Sequence, residues 1–408
     1  MKERFRTIKS DKWIICTVIA LVILGIMFVI DTCAVTRISN DGFKYMRAVK
    51  QLIFAIVGYG ICCVISCFDL RTFRKITFGF SIITLGFLIV VLAMGGEVKG
   101  ASRWFNIGGI VAIQPSEFAK IAMILCMAWV VNESRAFQYR IWEDYNRMSK
   151  RGTWLTLIGL CVLILLLVSA ENMSGGIILG VIAIGMLFFG GLSTGYFLGL
   201  FSLGAIGGTI FLFVGKSFRM ARIEAFRNPL EYMNDIGAQV VHSLISISSG
   251  GFRGKGYGNG TGKSIIPEPD NDYIFPTIVE EWGFIGGLLF IILYIIIVWR
   301  GMIIIRNCKN LYGRMLVMGA LLTLTFQMFV NMAVCLHIIP VTGVCLPFVS
   351  YGGSSMIVSF MMIGIILSVS RQIKMPNHML ICPVPKIDYE KSIKRPLKYE
   401  NNSRKQKL

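Results

Sequence analysis

The sequence predicts an all-α polytopic membrane protein with ten transmembrane helices, N-in and C-in, and a large extracytoplasmic loop between helices 7 and 8. Three observations carry this. Hydrophobic residues make up 55% of the chain and charged residues 15%, whereas soluble domains hold about 25% charged residues. Ten apolar runs approach the roughly 20 residues that a helix needs to cross the hydrocarbon core. The basic residues between those runs are biased to one side, as in proteins held by the positive-inside rule.

The runs occupy residues 13–35, 51–68, 76–95, 115–131, 153–170, 175–189, 194–214, 277–299, 315–338 and 354–370. The first follows MKERFRTIKSDK. It is longer than a signal-peptide core and has no small-residue cleavage site, so it reads as an uncleaved span. The fifth, sixth and seventh are separated only by the short breaks ENMS and GGLS. With the N-terminus inside, the inner segments carry 27 of the 41 Lys and Arg and the outer segments 13. Seven of those 13 lie in the loop 215–276, which is too long for the rule to govern.

Three regions follow: a basic arm over 1–12, a membrane domain over 13–370, and a tail over 371–408. The tail holds ten Lys/Arg and three acids and reads as a disordered cytosolic segment drawn to anionic lipid. The net charge of +19 therefore belongs to membrane topology and argues for no nucleic-acid partner. The eleven Cys sit mostly in apolar runs such as YGICCVISC, and the three His stand at no metal-ligand spacing from them. They read as small buried hydrophobes.

Against this background the polar motifs stand out. The fourth span opens QPSEFAKIAMILC, with Pro115 in the first turn of a helix. Glu117 and Lys120 are three apart and share a face. They are either a neutral pair joining helices or a charged lining for a polar cavity. Just upstream, VKGASRWFNIGGIVAIQ is too short to span and suits the outer interface. There Arg103 beside Trp104 is an interfacial anchor or a cation for a lipid phosphate.

The large loop holds GAQVVHSLISISSGGFRGKGYGNGTGKSIIPEPDND. Residues 239–249, beginning at Gln239, have the apolar spacing of a short amphipathic surface helix. Six Gly then fall between Gly250 and Gly260, interleaved with Arg253 and Lys255. Gly-rich backbone beside cations suits phosphate, though a merely flexible loop has the same composition. The stretch PVTGVCLPFVSYGGSSM offers Ser350, Ser354 or Ser355 as a cap for the tenth span, or its N–H groups as an anion site.

The segment PEPDNDYIFPTIVEEWG crowds five of the 22 acids at the mouth of the eighth span: Glu268, Asp270, Asp272, Glu280 and Glu281. Helix capping accounts for one or two of them. A carboxylate at a lipid–water boundary also has the setting of a general base.

Taken together and in this order, QPSEFAK, SGGFRGKGYGNG, PEPDNDYIFPTIVEEWGFIG and PVTGVCLPFVSYGGSS resemble the SEDS family (FtsW, RodA and SpoVE) over nearly the whole chain. The resemblance implies a peptidoglycan glycosyltransferase of the bacterial cytoplasmic membrane. It would polymerise lipid II beside a class B penicillin-binding protein within the cell-division or elongation machinery. The family's catalytic aspartate maps to Asp272, its charged pair to Glu117 and Lys120, and its Arg-Trp to Arg103 and Trp104. Gln239, Lys255, Ser350 and Ser354 are further candidates to contact substrate. No cofactor is evident; a divalent cation could assist the diphosphate, with no ligand cluster to specify it.

The chain departs from the commoner pattern at Asp270, where relatives often have His, at Asp31 in VIDTCA, and at ENMSGG. The last, with PEPDNDYIF, places it nearer the FtsW/SpoVE branch than RodA. The rival functions are a lipid II flippase and a non-catalytic scaffold for a transpeptidase.

Overall fold

The computed structural model describes residues 11–35, 45–94, 105–107, 111–140, 148–213, 222, 224–233 and 236–373. Almost all of these are helical. The helices are α1 (Lys12–Val35), α2 (Met46–Ser66), α3 (Leu70–Met94), α4 (Pro115–Arg140), α5 (Met148–Glu171) and α6 (Met173–Phe189). They continue with α7 (Thr194–Phe213), α8 (Ile236–Gly250), α9 (Ile274–Asn307), α10 (Leu311–Cys335) and α11 (Gly353–Ile373). Each of the ten apolar runs falls on a helix, and the amphipathic stretch 239–249 falls on α8. The basic arm 1–10 and the tail from 374 lie outside the described residues.

Six of these helices, α1, α2, α3, α9, α10 and α11, are long and apolar enough to cross a membrane by themselves. Shorter apolar helices cover Leu155–Glu171 and Met173–Phe189. The chain is a multi-pass membrane protein.

Two features differ from the all-α expectation. Phe105–Ile107 (β1) and Val111–Ile113 (β2) pair antiparallel, with Asn106 opposite Ala112, directly before α4. The eighth span is also longer than its apolar run and is broken at Gly283, which adopts φ 68° and ψ −167°. Only glycine takes that conformation readily.

Position in the bundle follows side-chain pattern. In α4, residues from Ala119 to Ala128 are buried on every side, which marks a central helix. The most apolar windows of α10 and α11 are 72% and 78% buried, against 28–44% in α1, α2, α3 and α9. The central helices therefore form the core, and the others turn apolar faces outward, as lipid contact permits. The main pairings are α2 on α11, α3 on α4, α9 on α10, α4 on α10 and α1 on α9. Asp11, 4% exposed, joins α1 to α9 through Arg300 at 2.6 Å.

The break at Gly283 is filled by the Gly-rich loop. Before it, the carbonyls of Glu280 and Glu281 accept from Lys255 N (3.0 Å) and Gly256 N (2.9 Å). After it, Phe284 N donates to Gly251 O at 2.9 Å. The loop thus supplies partners that a continuous helix would have found within itself. Close approach requires glycine on both sides. A β-carbon on Gly283 would stand 2.4 Å from Gly254 N, and one on Gly254 (φ +80°) would stand 2.2 Å from Glu281 O.

The connection 336–352 runs into the bundle rather than over it. Leu346, Phe348, Val349 and Ser350 are all buried. Tyr294 donates to Pro347 O, and Gln51 of α2 donates to Ser350 O at 3.0 Å and accepts from Gly352 N at 3.4 Å. Gly25 of α1 lets it pass: a β-carbon there would lie 2.7 Å from Val349 Cα.

Gly283→Ala is expected to cost about 3 kcal/mol or more, because it combines a disfavoured φ with a backbone collision. Thermal unfolding in detergent reads the loss. Faster proteolysis within 251–263 reads release of the loop.

Candidate active site

Asp272 sits two residues before α9, between the end of the large loop and the buried connection. Its backbone carbonyl accepts from Asn331 Nδ2 of α10 at 2.8 Å and from the Cys335 thiol at 3.6 Å. Its carboxylate faces the connection. Cys345 Sγ donates to Asp272 Oδ1 at 3.7 Å, and Gly343 (φ 72°) is so near that a β-carbon on it would stand 3.4 Å from Oδ2.

Burial first, then the negative charges of Asp272 and Glu117, push the Cys345 thiol well above its ordinary range, while Lys120 pulls it down. The thiol therefore stays protonated and donates. Three residues singled out in the sequence thus act on this thiol: Asp272 by a direct bond, and Glu117 and Lys120 through their charges. Lys120 Nζ and Glu117 Oε1 are 2.6 Å apart, with side chains 4% and 14% exposed. One ammonium proton is committed to Glu117, and a Lys carries three.

Ser354 joins this cluster through backbone. Its Oγ accepts from Gln114 N at 3.0 Å, which ties the start of α11 to the start of α4. Ser350 instead stabilises a turn inside the connection, its Oγ accepting from Leu346 N at 2.8 Å. Neither is an N-cap of the last helix, because α11 begins at Gly353 and takes Ser354 into its first turn. Gln239 is half-buried in the first turn of α8. Arg103 and Trp104 lie outside the described residues.

The FtsW/RodA/SpoVE "cell cycle protein" family model matches residues 11–375. The chain belongs to this family. It is 34% identical to the probable peptidoglycan glycosyltransferase FtsW of Trichlorobacter lovleyi, over 92% of this chain and 97% of that one. It is 32% identical to the stage V sporulation protein E of Bacillus subtilis, over 88% and 97%. A solved chain described under "Structural coordination of polymerization and crosslinking by a peptidoglycan synthase complex" has the same fold. It superposes with a TM-score of 0.70 at 23% identity, over 90% of this chain and 99% of that chain.

Within this family fold, the Gly-rich loop differs from a phosphate cradle. Its N–H groups are turned on the protein's own carboxylates. Glu280 accepts from Thr261 N (2.9 Å), Gly262 N (2.9 Å) and Lys255 Nζ (2.7 Å). Glu281 accepts from Gly258 N (3.0 Å) and Gly260 N (3.2 Å). The structure thus brings Lys255 to Glu280. On a continuous helix two adjacent side chains point about 100° apart. Both acids instead bind the loop, because the break at Gly283 brings its backbone against their turn.

The structure adds residues that sequence reasoning passed over. Lys263 is 2% exposed and bridges Asp31 of α1, at 2.6 Å to both oxygens, and Glu281 at 2.7 Å. Burial lowers the proton affinity of this amine, but the two carboxylates bonded to it outweigh that and raise it overall. Asp270, 2% exposed, takes Arg47 of α2 on both oxygens at 2.9 Å, and its carbonyl accepts from Tyr351 N at 2.8 Å. The sequence signal for Asp31 was its charge within an apolar run; Arg47 and Lys263 carried none. Among the described residues no three His, Cys, Asp or Glu side chains stand together as a metal-ligand set.

Lys263→Met strands two carboxylates in a dry site, so a loss of about 3–5 kcal/mol is expected. Lys255→Met should cost much less, since that ammonium is 32% exposed and Glu280 keeps its backbone donors. Chemical or thermal unfolding of both variants in one detergent checks the order.

Proposed function

We propose that this protein is a peptidoglycan glycosyltransferase that polymerises lipid II at the outer face of the bacterial cytoplasmic membrane. In this reading ten helices cross the bilayer with both termini inside. A class B penicillin-binding protein partners it within the division or elongation machinery. The observation that carries the reading is that Asp272 bonds the Cys345 thiol, which also feels the charges of the Glu117–Lys120 pair. The relatives that are named probable peptidoglycan glycosyltransferases support the reaction class, and the synthase-complex chain supports the fold.

The reaction joins an acceptor GlcNAc 4-hydroxyl to the anomeric carbon of a donor MurNAc. Asp272 accepts the hydroxyl proton as the oxygen attacks. The bond between the anomeric carbon and the diphosphate oxygen breaks from the opposite side, so the α-linked donor gives a β-1,4 product. A single displacement of this kind needs a base and stabilisation of the departing charge, with no covalent nucleophile. Lys120 would serve the leaving diphosphate with the protons that Glu117 does not take. Arg103 is a second candidate cation. Lys255 would have to leave Glu280 to contribute.

Asp272→Asn keeps the shape and removes the base, so polymerisation should fall by about 10²–10⁴-fold. The measurement is glycan-strand formation from lipid II by the purified, folded protein with its partner. Wild-type rate in that variant would remove the assignment and favour a flippase or a scaffold. Lys120→Met should lower polymerisation more than it lowers the melting temperature. The opposite order would make the ion pair purely structural.

A further inference from the structure

Asn331 lies on α10 one turn before Cys335, and it is 1% exposed. Its Nδ2 donates to two backbone carbonyls on different segments, Asp272 O at 2.8 Å and Val344 O at 2.7 Å. An amide nitrogen has two hydrogens, and both are used. The chemistry also fixes which way the amide faces, since a carbonyl only accepts. One side chain therefore grips the end of the large loop at Asp272 and the buried connection one residue before Cys345. These are the two residues whose side chains meet at 3.7 Å.

We infer that Asn331 is the positioning residue of the site: its amide sets how the Asp272 carboxylate stands against the connection that carries Gly343 and Cys345. It touches no reacting atom. The inference rests on the reading of Asp272 as the base. The requirement for such a clamp is geometric. Productive sites tolerate displacements of about 0.5 Å, and a misplacement of about 1 Å costs on the order of 10²-fold in rate. Asp272 stands at a loop end, so its own helix does not hold it. Asn331 belongs to α10, one of the most buried helices, and transfers that rigidity to the loop end.

The test uses full-length protein with its penicillin-binding partner and purified lipid II. Asn331→Leu keeps the branching of the side chain and removes both donors; Asn331→Asp keeps the shape and replaces the donating nitrogen with an oxygen. In each folded variant kcat should fall by about 10–100-fold, with KM for lipid II within about threefold of wild type and the partner still bound. A folded variant with wild-type kcat overturns the inference. So does a change confined to KM, or a loss of activity that only tracks unfolding across both variants. Asp272→Asn is run beside them: an active Asp272→Asn sinks the base assignment itself, whereas an inactive one with active Asn331 variants sinks only the positioning role.

Discussion

The break in α9 at Gly283 is the constraint on which this end of the molecule depends. Interrupting a helix inside a bundle exposes carbonyls on one side and N–H groups on the other, and each costs about 1–3 kcal/mol if left unpaired. The loop residues Gly251, Lys255 and Gly256 meet this demand with backbone alone. Because the contact is backbone to backbone, it admits no β-carbon at Gly254 or Gly283. The loop's conformation is thereby dictated by the helix it repairs. Everything it carries, including Lys263 and the approach to Asp272, is placed as a consequence.

The same contact sorts the crowded acids. A buried carboxylate is tolerated only with strong donors. Glu280 and Glu281 take the N–H groups of the loop together with Lys255 and Lys263, and Asp270 takes Arg47. Each of these acids is held in place by cations or amides. Asp272 meets the Cys345 thiol of the buried connection at 3.7 Å.

Much of this was legible beforehand, and the limits have identifiable causes. The ten apolar runs fall on helices because hydrophobic length alone decides them. The run around Gly283 did not betray its break, since a lone glycine in an apolar helix is common and ambiguous. Six glycines beside cations suggested a phosphate cradle; the composition described the N–H groups without saying which anion would occupy them. Lys263 and Asp31 are 232 positions apart, and their pairing exists only in the fold. Asn331 and Gln51 offered a weaker hint, as polar side chains in otherwise apolar spans. Their actual work, fastening backbone carbonyls of a buried connection, has no sequence pattern.

The ion pair in α4 bears on how a charged substrate is accommodated. Glu117 and Lys120 are neutral as a pair, which makes nearly complete burial of the ammonium tolerable in the resting protein. On the proposed reaction a diphosphate, with more charge than one carboxylate, arrives beside this pair and competes for the ammonium. Lys120 can then serve the leaving group without being desolvated during catalysis, because it is already dry. The carboxylate that releases it remains close enough to keep the local charge from turning strongly positive when the substrate is absent. Without Glu117 the ammonium would have to remain unpaired in a low-dielectric interior between turnovers. On the proposed reaction, the pair is a means of storing a cation whose charge reaches the thiol that Asp272 bonds.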